Sequence, residues 1–207
     1  MTLRYDGTPT TGDHDLALTC GQDKATLYTR VLAPLPDGVP RESNRIVSIA
    51  PAAGTLTGDW QVIDGLGSLG RTVRARLDLP VRNVDGLAGV TPAAYPFATS
   101  TEVGGVLRVV ALPTHALDPG KGVRVAVRLD GGPLQVLDFA TLGRSDEWRE
   151  NVLTNTAVRE IALKRLTAGP HELRVYPLDP GVMLDRIEVD LYRVPYHYGA
   201  LRPEVSQ

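Results

Sequence analysis

The sequence predicts an all-β protein folded as a β-sandwich or jelly roll. Three features support this class: short apolar runs, an alternation of apolar and polar residues with a period of two, and frequent turn residues. The 21 glycines and 16 prolines divide the 207 residues at short intervals, as expected of strands joined by tight turns. No long amphipathic helical pattern accompanies them, so two packed sheets are the expected architecture.

The first part of the chain is the least patterned. Apolar residues alternate in residues 16–20 and again in residues 27–31, which predicts two short strands. Residues 34–40 contain three prolines and a glycine, which indicates a linker or a long loop. We therefore expect an N-terminal extension or connecting region with short strands at 1–43 and a β-sandwich domain at 44–207.

The strands of the sandwich domain begin with two short, mostly apolar runs, Ile46 to Ala50 and Trp60 to Ile63. Val73 to Leu79 alternates apolar residues with charges, which predicts a strand with one dry face and one wet face. Val106 to Leu112 is apolar on both faces apart from Arg108, which predicts a largely buried central strand.

The next elements are a hairpin and a segment whose secondary structure the pattern does not decide. Val123 to Leu129 alternates and is followed by Asp130-Gly131-Gly132 and then by Leu134 to Phe139, a typical hairpin signal. Residues 147–153 fit a helical turn, and residues 158–166 fit either a helix or a strand.

The end of the chain predicts two more strands. A strand at 173–175 is followed by the turn Asp179-Pro180-Gly181 and by a last strand at 187–191. Asp179 is expected to cap its own turn. Glu188 and Asp190 alternate with apolar residues, so we expect both on the solvent face of the last strand.

Composition excludes several classes of function. The formal net charge is −2 with dispersed basic residues, so nothing resembles the basic surface of a nucleic-acid-binding protein. No stretch approaches the length of a membrane span. Cys20 is the single cysteine, which excludes an internal disulfide and a cysteine-built zinc site. The first residues lack the apolar stretch of a signal peptide, so an export signal is not expected in this chain.

Residues Gly65 to Gly70 spell G-x-G-x-x-G, the pattern of a dinucleotide-binding turn. That turn requires a strand before it and a helix after it, because the helix N-terminus holds the pyrophosphate. Here the following residues alternate as a strand. A tight loop between two strands is therefore predicted.

No catalytic residue and no metal site are predicted. The four histidines are scattered without metal-ligand spacing, and His171, after Gly169-Pro170, is expected on the surface or in a turn; the others are His14, His115 and His197. A stand-alone glycosidase stays a third hypothesis, since it needs two carboxyl groups facing across a cleft and the pattern indicates no such pair. The acidic residues considered for it are Asp146, Glu147, Asp179, Asp185, Glu188 and Asp190.

Four residues are candidates for carbohydrate binding near loop tips: Trp60, Tyr95, Trp148 and Asn151. Aromatic residues are only 5% of the chain, so the two tryptophans stand out as rings that could stack on a sugar. For a tryptophan flanked by apolar residues, a place in the core between the sheets is the favoured alternative.

Several motifs occur in an order typical of one family. They are Ile46-Val47-Ser48-Ile49-Ala50, DWQVIDGLG at 59–67, Trp148 with NVLTN at 151–155, LTAGPHELRV at 166–175 and LDPGVMLDRI at 178–187. Over about residues 45–204 the chain resembles the C-terminal β-sandwich domain of glycoside hydrolase family 115, the xylan α-glucuronidases. The most specific part is Gly-x-His-x-Leu followed by Asp-Pro-Gly-Val. The resemblance implies a sandwich like those of carbohydrate-binding modules.

Two positions depart from the family pattern. Pro51 follows Ala50 where the family has an acidic residue, and in related sandwiches an acidic residue near that point helps to hold a structural calcium ion. A calcium site is therefore left open, and no cofactor is predicted. The tail Tyr198 to Glu204 matches the family's Tyr-x-Gly-Pro-Pro-Glu only loosely.

The resemblance also implies a function. The family's active site belongs to a barrel domain well upstream, for which this chain has no room, so no catalytic residue carries over. The implied function is a non-catalytic accessory module of a glucuronoxylan-degrading α-glucuronidase, in a secreted or periplasmic parent, with an upstream catalytic barrel domain or a partner chain as its partner. The alternative is an autonomous carbohydrate-binding module for a xylan-type plant cell-wall polysaccharide.

Overall fold

A computed structural model of the chain describes residues 12–31, 38–43, 45–100, 102–118 and 121–191. Within these ranges the chain forms twelve strands, one α-helix and two 3₁₀ turns. The strands are β1 (Gly12–Cys20), β2 (Asp23–Val31), β3 (Ile46–Ile49), β4 (Trp60–Asp64), β5 (Arg71–Ala75), β6 (Ala93–Thr99), β7 (Val103–Ala111), β8 (Arg124–Leu129), β9 (Gln135–Asp138), β10 (Ala157–Leu166), β11 (Gly169–Pro177) and β12 (Met183–Asp190). The helix is α1 (Asp146–Thr154), and the 3₁₀ turns are Pro51–Ala53 and Val84–Leu87. The all-β prediction is confirmed.

Two antiparallel sheets face each other. The six-stranded sheet has the order β10-β7-β12-β5-β4, and β3 pairs with β12; the four-stranded sheet has the order β6-β11-β8-β9. One apolar cluster joins them, with Val109 and Ile187 from the first sheet and Tyr95, Phe97 and Leu173 from the second. All five side chains are fully buried. The predicted β-sandwich is therefore confirmed, with its core between the two sheets.

Packing decides the secondary structure of the two segments that the sequence pattern left undecided. Residues 158–166 lie in β10, which pairs with β7 and directs Ile161 and Leu163 into the core. Residues 147–153 lie in α1. The run around Arg108 is β7, which lies between β10 and β12, so the predicted central strand is confirmed.

Tight turns join the strands where the glycine pattern indicated them. Asp130 and Gly131 both have positive φ, 48° and 72°, and Gly132 N donates to Leu129 O at 2.8 Å. This is the geometry of a type I′ turn, so the β8–β9 hairpin is confirmed. Residues 65–70 connect β4 to β5, another strand, so the tight-loop interpretation of the glycine cluster is also confirmed.

The strand expected over Val73 to Leu79 is shorter than predicted. It ends at Ala75, and Leu77 is 51% exposed instead of lying on a dry face. The reason is a local turn, in which Leu79 N donates to Arg76 O at 3.4 Å and Arg76 pairs with Asp78.

The two strands expected in the N-terminal part form the hairpin β1–β2, in which Leu16 lies opposite Leu27. The sandwich pairing reaches back to Pro40, whose carbonyl accepts from Ala98 N at 2.8 Å. The division between residues 43 and 44 stays a prediction. The first two prolines of the expected linker, the tail motif and His197 lie outside the described residues.

Candidate functional site

The four residues proposed to contact sugar do not share one place. Tyr95 lies inside β6 and has no exposed area, so its expected position near a loop tip is wrong. Because burial disfavours the phenolate, the pKa of Tyr95 is raised above its usual value. Trp60 begins β4 and is only 6% exposed, which places its ring in the core, the alternative that the sequence favoured.

Trp148 and Asn151, by contrast, are brought together by α1. Ser145 caps the N-terminus of the helix, because its hydroxyl accepts from Trp148 N at 3.1 Å, and Asn155, whose φ of 52° is left-handed, caps the C-terminus. Residues three apart in a helix lie on the same face. The indole of Trp148 and the amide of Asn151 are therefore neighbours on one surface.

That surface forms one wall of a recess of about 100 Å³, which we call the α1 recess. It lies between α1 and the loops that follow β7 and β9, and its principal lining residues are Thr114, His115, Phe139, Trp148, Asn151 and Val152. Its lining combines two aromatic rings with two threonine hydroxyls, of Thr114 and Thr141, an imidazole and an amide. Of these residues, the sequence pattern indicated only Trp148 and Asn151 as candidates for sugar binding, because the loops come from distant parts of the chain.

Two polar side chains of the recess, Asn151 and Thr114, make no hydrogen bond to the described residues. Asn151 is 9% exposed, and within the described part of the chain its side chain makes no hydrogen bond, although its backbone carbonyl accepts from Thr156 N at 3.1 Å. The hydroxyl of Thr114 is also without a partner among the described residues. Leaving a buried hydroxyl such as that of Thr114 unpaired costs about 1–3 kcal/mol. The α1 recess is therefore better suited to a hydrogen-bonding ligand than to remaining empty.

The guanidinium of Arg159, which lies beside the recess, already has hydrogen-bond and ion-pair partners. Arg159 lies 5.7 Å from the centre of the Phe139 ring, and it pairs with Glu147 at 2.7 Å. The same guanidinium donates to the backbone carbonyls of Asp138 and Val158. The described residues that line the recess itself include no Asp, Glu, Lys or Arg.

A second hollow, of about 450 Å³, lies at the other tryptophan. It is lined by Trp60, Gln61, Arg76, Leu77 and Asp78. Arg76 donates twice to Asp78, at 2.9 and 2.8 Å, and these hydrogen bonds lower the pKa of Asp78. Because the Trp60 ring is buried, this hollow offers no free aromatic face for stacking.

The acidic residues of the last strand are not on a solvent face. Glu188 and Asp190 are fully buried, so that prediction is wrong. Glu188 accepts from Arg186 Nε at 2.9 Å, and Asp190 accepts from Arg108 Nη1 at 2.8 Å. The arginines compensate the buried charges, which is why a charged residue can occupy a hidden face.

The other acidic candidates are also engaged. Asp179 does not cap its own turn but binds Arg124 through Nε at 2.7 Å and the backbone N at 2.9 Å. Asp185 accepts from the backbone and hydroxyl of Ser68 at 2.6 and 2.7 Å, which fastens the β4–β5 loop to β12. On the surface, Asp146 pairs with Arg149, and Glu147 pairs with Arg159 as described above.

His171 is buried, so its expected position on the surface or in a turn is wrong. Its ring stacks on Phe97 with 5.1 Å between centroids. Nδ1 lies 2.6 Å from the Asp130 carboxylate and Nε2 lies 2.8 Å from the Thr167 carbonyl. The histidine of the Gly-x-His-x-Leu motif thus joins the start of β11 to the β8–β9 turn and has a structural role.

Two further properties concern the described residues only. Among them, no group of three or more His, Cys, Asp or Glu side chains is placed to hold a metal ion. No helix in the same ranges is long and apolar enough to cross a membrane.

Residues 41–202 match the family model of the glycosyl hydrolase family 115 C-terminal domain. Among solved structures, the chain is similar to a family GH115 4-O-methyl-α-glucuronidase, BtGH115A, with specificity for decorated arabinogalactans. The identity is 27% and the TM-score 0.56, over 81% of this chain and 20% of that one. This chain thus spans about a fifth of that enzyme's length.

Two more distant structures were also found. They are a Podospora anserina GH26-CBM35 β-(1,4)-mannanase (13% identity, TM-score 0.48, 74% of this chain and 29% of that one) and the C-terminal CBM6 of LamC from Zobellia galactanivorans (12%, 0.44, 70% and 98%). These likenesses are too weak to support a functional argument. The search of curated proteins returned no match.

Proposed function

Because the chain belongs to the glycosyl hydrolase family 115 C-terminal domain family, we propose that it is a non-catalytic accessory module of an α-glucuronidase. In this proposal the sandwich supports the architecture of an enzyme whose active site lies in another domain or chain. The observation that carries it is the engagement of the acidic candidates by arginines and backbone donors.

A glycosidase needs one carboxyl group that can donate a proton and a second that can act as base or nucleophile, both in contact with the substrate. Asp179, Asp185, Glu188 and Asp190 are all buried, and each accepts hydrogen bonds from fixed partners. Moving any of them to a substrate would leave an arginine or a backbone amide without its partner. This arrangement supports a structural use of these carboxylates.

The N-terminal hairpin supports a contact with a further domain. Leu16 lies opposite Leu27 on one face, yet Leu27 is 40% exposed. An isolated two-stranded hairpin is only marginally stable in water, so it needs an apolar surface to cover it. The hairpin precedes the matched residues 41–202. An upstream catalytic domain or a partner chain is the occupant that we propose.

Activity of the purified chain tests the catalytic half of the proposal. We expect no release of glucuronic acid or its 4-O-methyl ether from 4-O-methylglucuronoxylan or from glucuronic-acid-decorated arabinogalactan above a buffer blank, measured by anion-exchange chromatography. An active family 115 enzyme serves as the positive control. Sustained release that co-purifies with the chain and disappears in an Asp185→Asn variant would overturn the proposal.

Isolation of the protein from its native host tests the accessory half. An antibody to the sandwich should recover either a polypeptide much larger than 22.3 kDa or a complex, and mass spectrometry should find peptides of a family 115 catalytic domain in it. Recovery of the 22.3-kDa chain alone, under conditions that preserve complexes, would contradict this role.

A further inference from the structure

We propose that the α1 recess binds a single neutral sugar residue at the end of a polysaccharide branch. This proposal goes beyond the accessory role and does not depend on it. It gives the carbohydrate-binding alternative a definite place, built from Trp148, Asn151 and the loops that face them.

The composition of the lining fits a sugar. Small-ligand sites combine apolar and aromatic walls with a few polar groups that fix orientation. Two aromatic residues line the recess: Trp148, which is partly exposed, and Phe139, which is buried. The C–H faces of a sugar ring pack against such a wall, while its hydroxyl groups point to the rim.

The Asn151 amide can hydrogen-bond a ligand in the recess. Asn151 as a residue is only 9% exposed, its side chain makes no hydrogen bond to the described residues, and it lines the recess beside the indole and the buried, unpartnered hydroxyl of Thr114. An amide offers two N–H donors and one carbonyl acceptor. Two adjacent sugar hydroxyls, each of which both donates and accepts, match that set. A purely apolar ligand would leave the amide unpaired.

Size and charge narrow the ligand class. A volume of about 100 Å³ is well below that of pockets for drug-sized ligands, so the recess accepts part of one sugar ring and not a continuous chain. A uronic acid would require a free cation, but the Arg159 guanidinium is held by Glu147 and two backbone carbonyls. A neutral terminal residue is therefore the ligand that fits best.

The two tryptophans provide the test, because each gives one indole N–H signal in a ¹⁵N spectrum. The Trp148 signal is identified by its loss in Trp148→Phe. The probes are the methyl glycosides of β-D-xylopyranose, β-D-galactopyranose and α-L-arabinofuranose, with methyl β-D-glucuronide as the charged counterpart. We expect at least one neutral probe to shift the Trp148 signal saturably, and the Trp60 signal to remain in place.

Asn151→Ala should weaken that binding at least tenfold, whereas the matched control Gln61→Ala, at the other hollow, should leave it unchanged. A dispersed amide spectrum shows that the Asn151→Ala variant is folded. If that variant is unfolded, Trp148→Phe is compared with the parent chain instead, and ligand-observed saturation transfer measures the loss of binding. The proposal is overturned if no neutral probe moves the Trp148 signal, if only the glucuronide does, or if the Trp60 signal moves instead. None of these outcomes alters the activity and host-isolation results that test the accessory role.

Discussion

The two faces of β12 differ in chemistry but not in burial. On the inner face, Ile187 and Val189 belong to the core between the sheets. On the outer face, turned away from the four-stranded sheet, Arg186, Glu188 and Asp190 alternate with them and are equally hidden. A charged residue in an alternating strand therefore lies on the face away from the core, but that face need not be exposed to solvent.

The outer face is organised by the register of the sheet. Glu160 lies opposite Arg108, Arg108 opposite Glu188, and Glu188 opposite Ser48, across β10, β7, β12 and β3. Arg108 also bridges Glu160 and Asp190 at 2.6 and 2.8 Å. Opposite charges in directly paired positions offset the cost of removing them from water.

The largest effect is expected from Arg186→Ala. This change leaves Glu188 and Asp185 buried without their arginine, which should lower the free energy of unfolding by about 3–5 kcal/mol. Urea denaturation followed by circular dichroism measures the loss.

Two controls sharpen the interpretation of that variant. If the loss of charge compensation is the cause, the free energy of unfolding should fall less in the double variant Arg186→Met with Glu188→Leu than in Arg186→Ala alone. Asp64→Ala, which removes an exposed pair with Arg71, should change stability by no more than about 1 kcal/mol. A double variant less stable than the single one would show that packing, not charge, dominates the outer face.

On the inner face, Ile187→Ala should cost about 2–5 kcal/mol, because it removes methyl groups from a fully buried position and leaves a cavity. The same urea measurement applies. Unlike the Arg186 variant, this one should lose equal stability at low and high salt, because it changes no charge. A salt-dependent loss would contradict the assignment of this face to apolar packing.

The smallest effect is expected from Tyr95→Phe. The Tyr95 hydroxyl is buried and has no partner among the described residues, so its removal should change stability by less than about 1 kcal/mol. The raised pKa of Tyr95 also predicts that stability depends on pH. The neutral Tyr95 side chain makes its full contribution to the free energy of unfolding below pH 10, the usual pKa of tyrosine, and this contribution is lost as the pH rises above that value. Thermal unfolding between pH 8 and pH 11 should therefore show a shallower alkaline decline in Tyr95→Phe than in the parent chain.

Local pattern predicted much of the fold because strands and turns depend on neighbouring residues. The β8–β9 hairpin was predictable from Asp130-Gly131, since a type I′ turn needs two residues that accept positive φ. Residues 158–166 were not predictable in the same way, because only pairing with β7 decides between helix and strand. The candidate site was half predictable: Trp148 and Asn151 are close in sequence, whereas Thr114 and Phe139 are not.

Residue type and spacing along the chain were enough to predict the all-β class, the order of most strands and the family. Tertiary structure alone decided where charge and aromatic groups lie. Glu188 is buried because Arg186 and Arg108 lie beside it, and Tyr95 is buried because β6 faces the six-stranded sheet. Burial depends on contacts between segments that are distant in sequence. For that reason the alternation on β12 predicted which residues share a face, but not whether that face is buried.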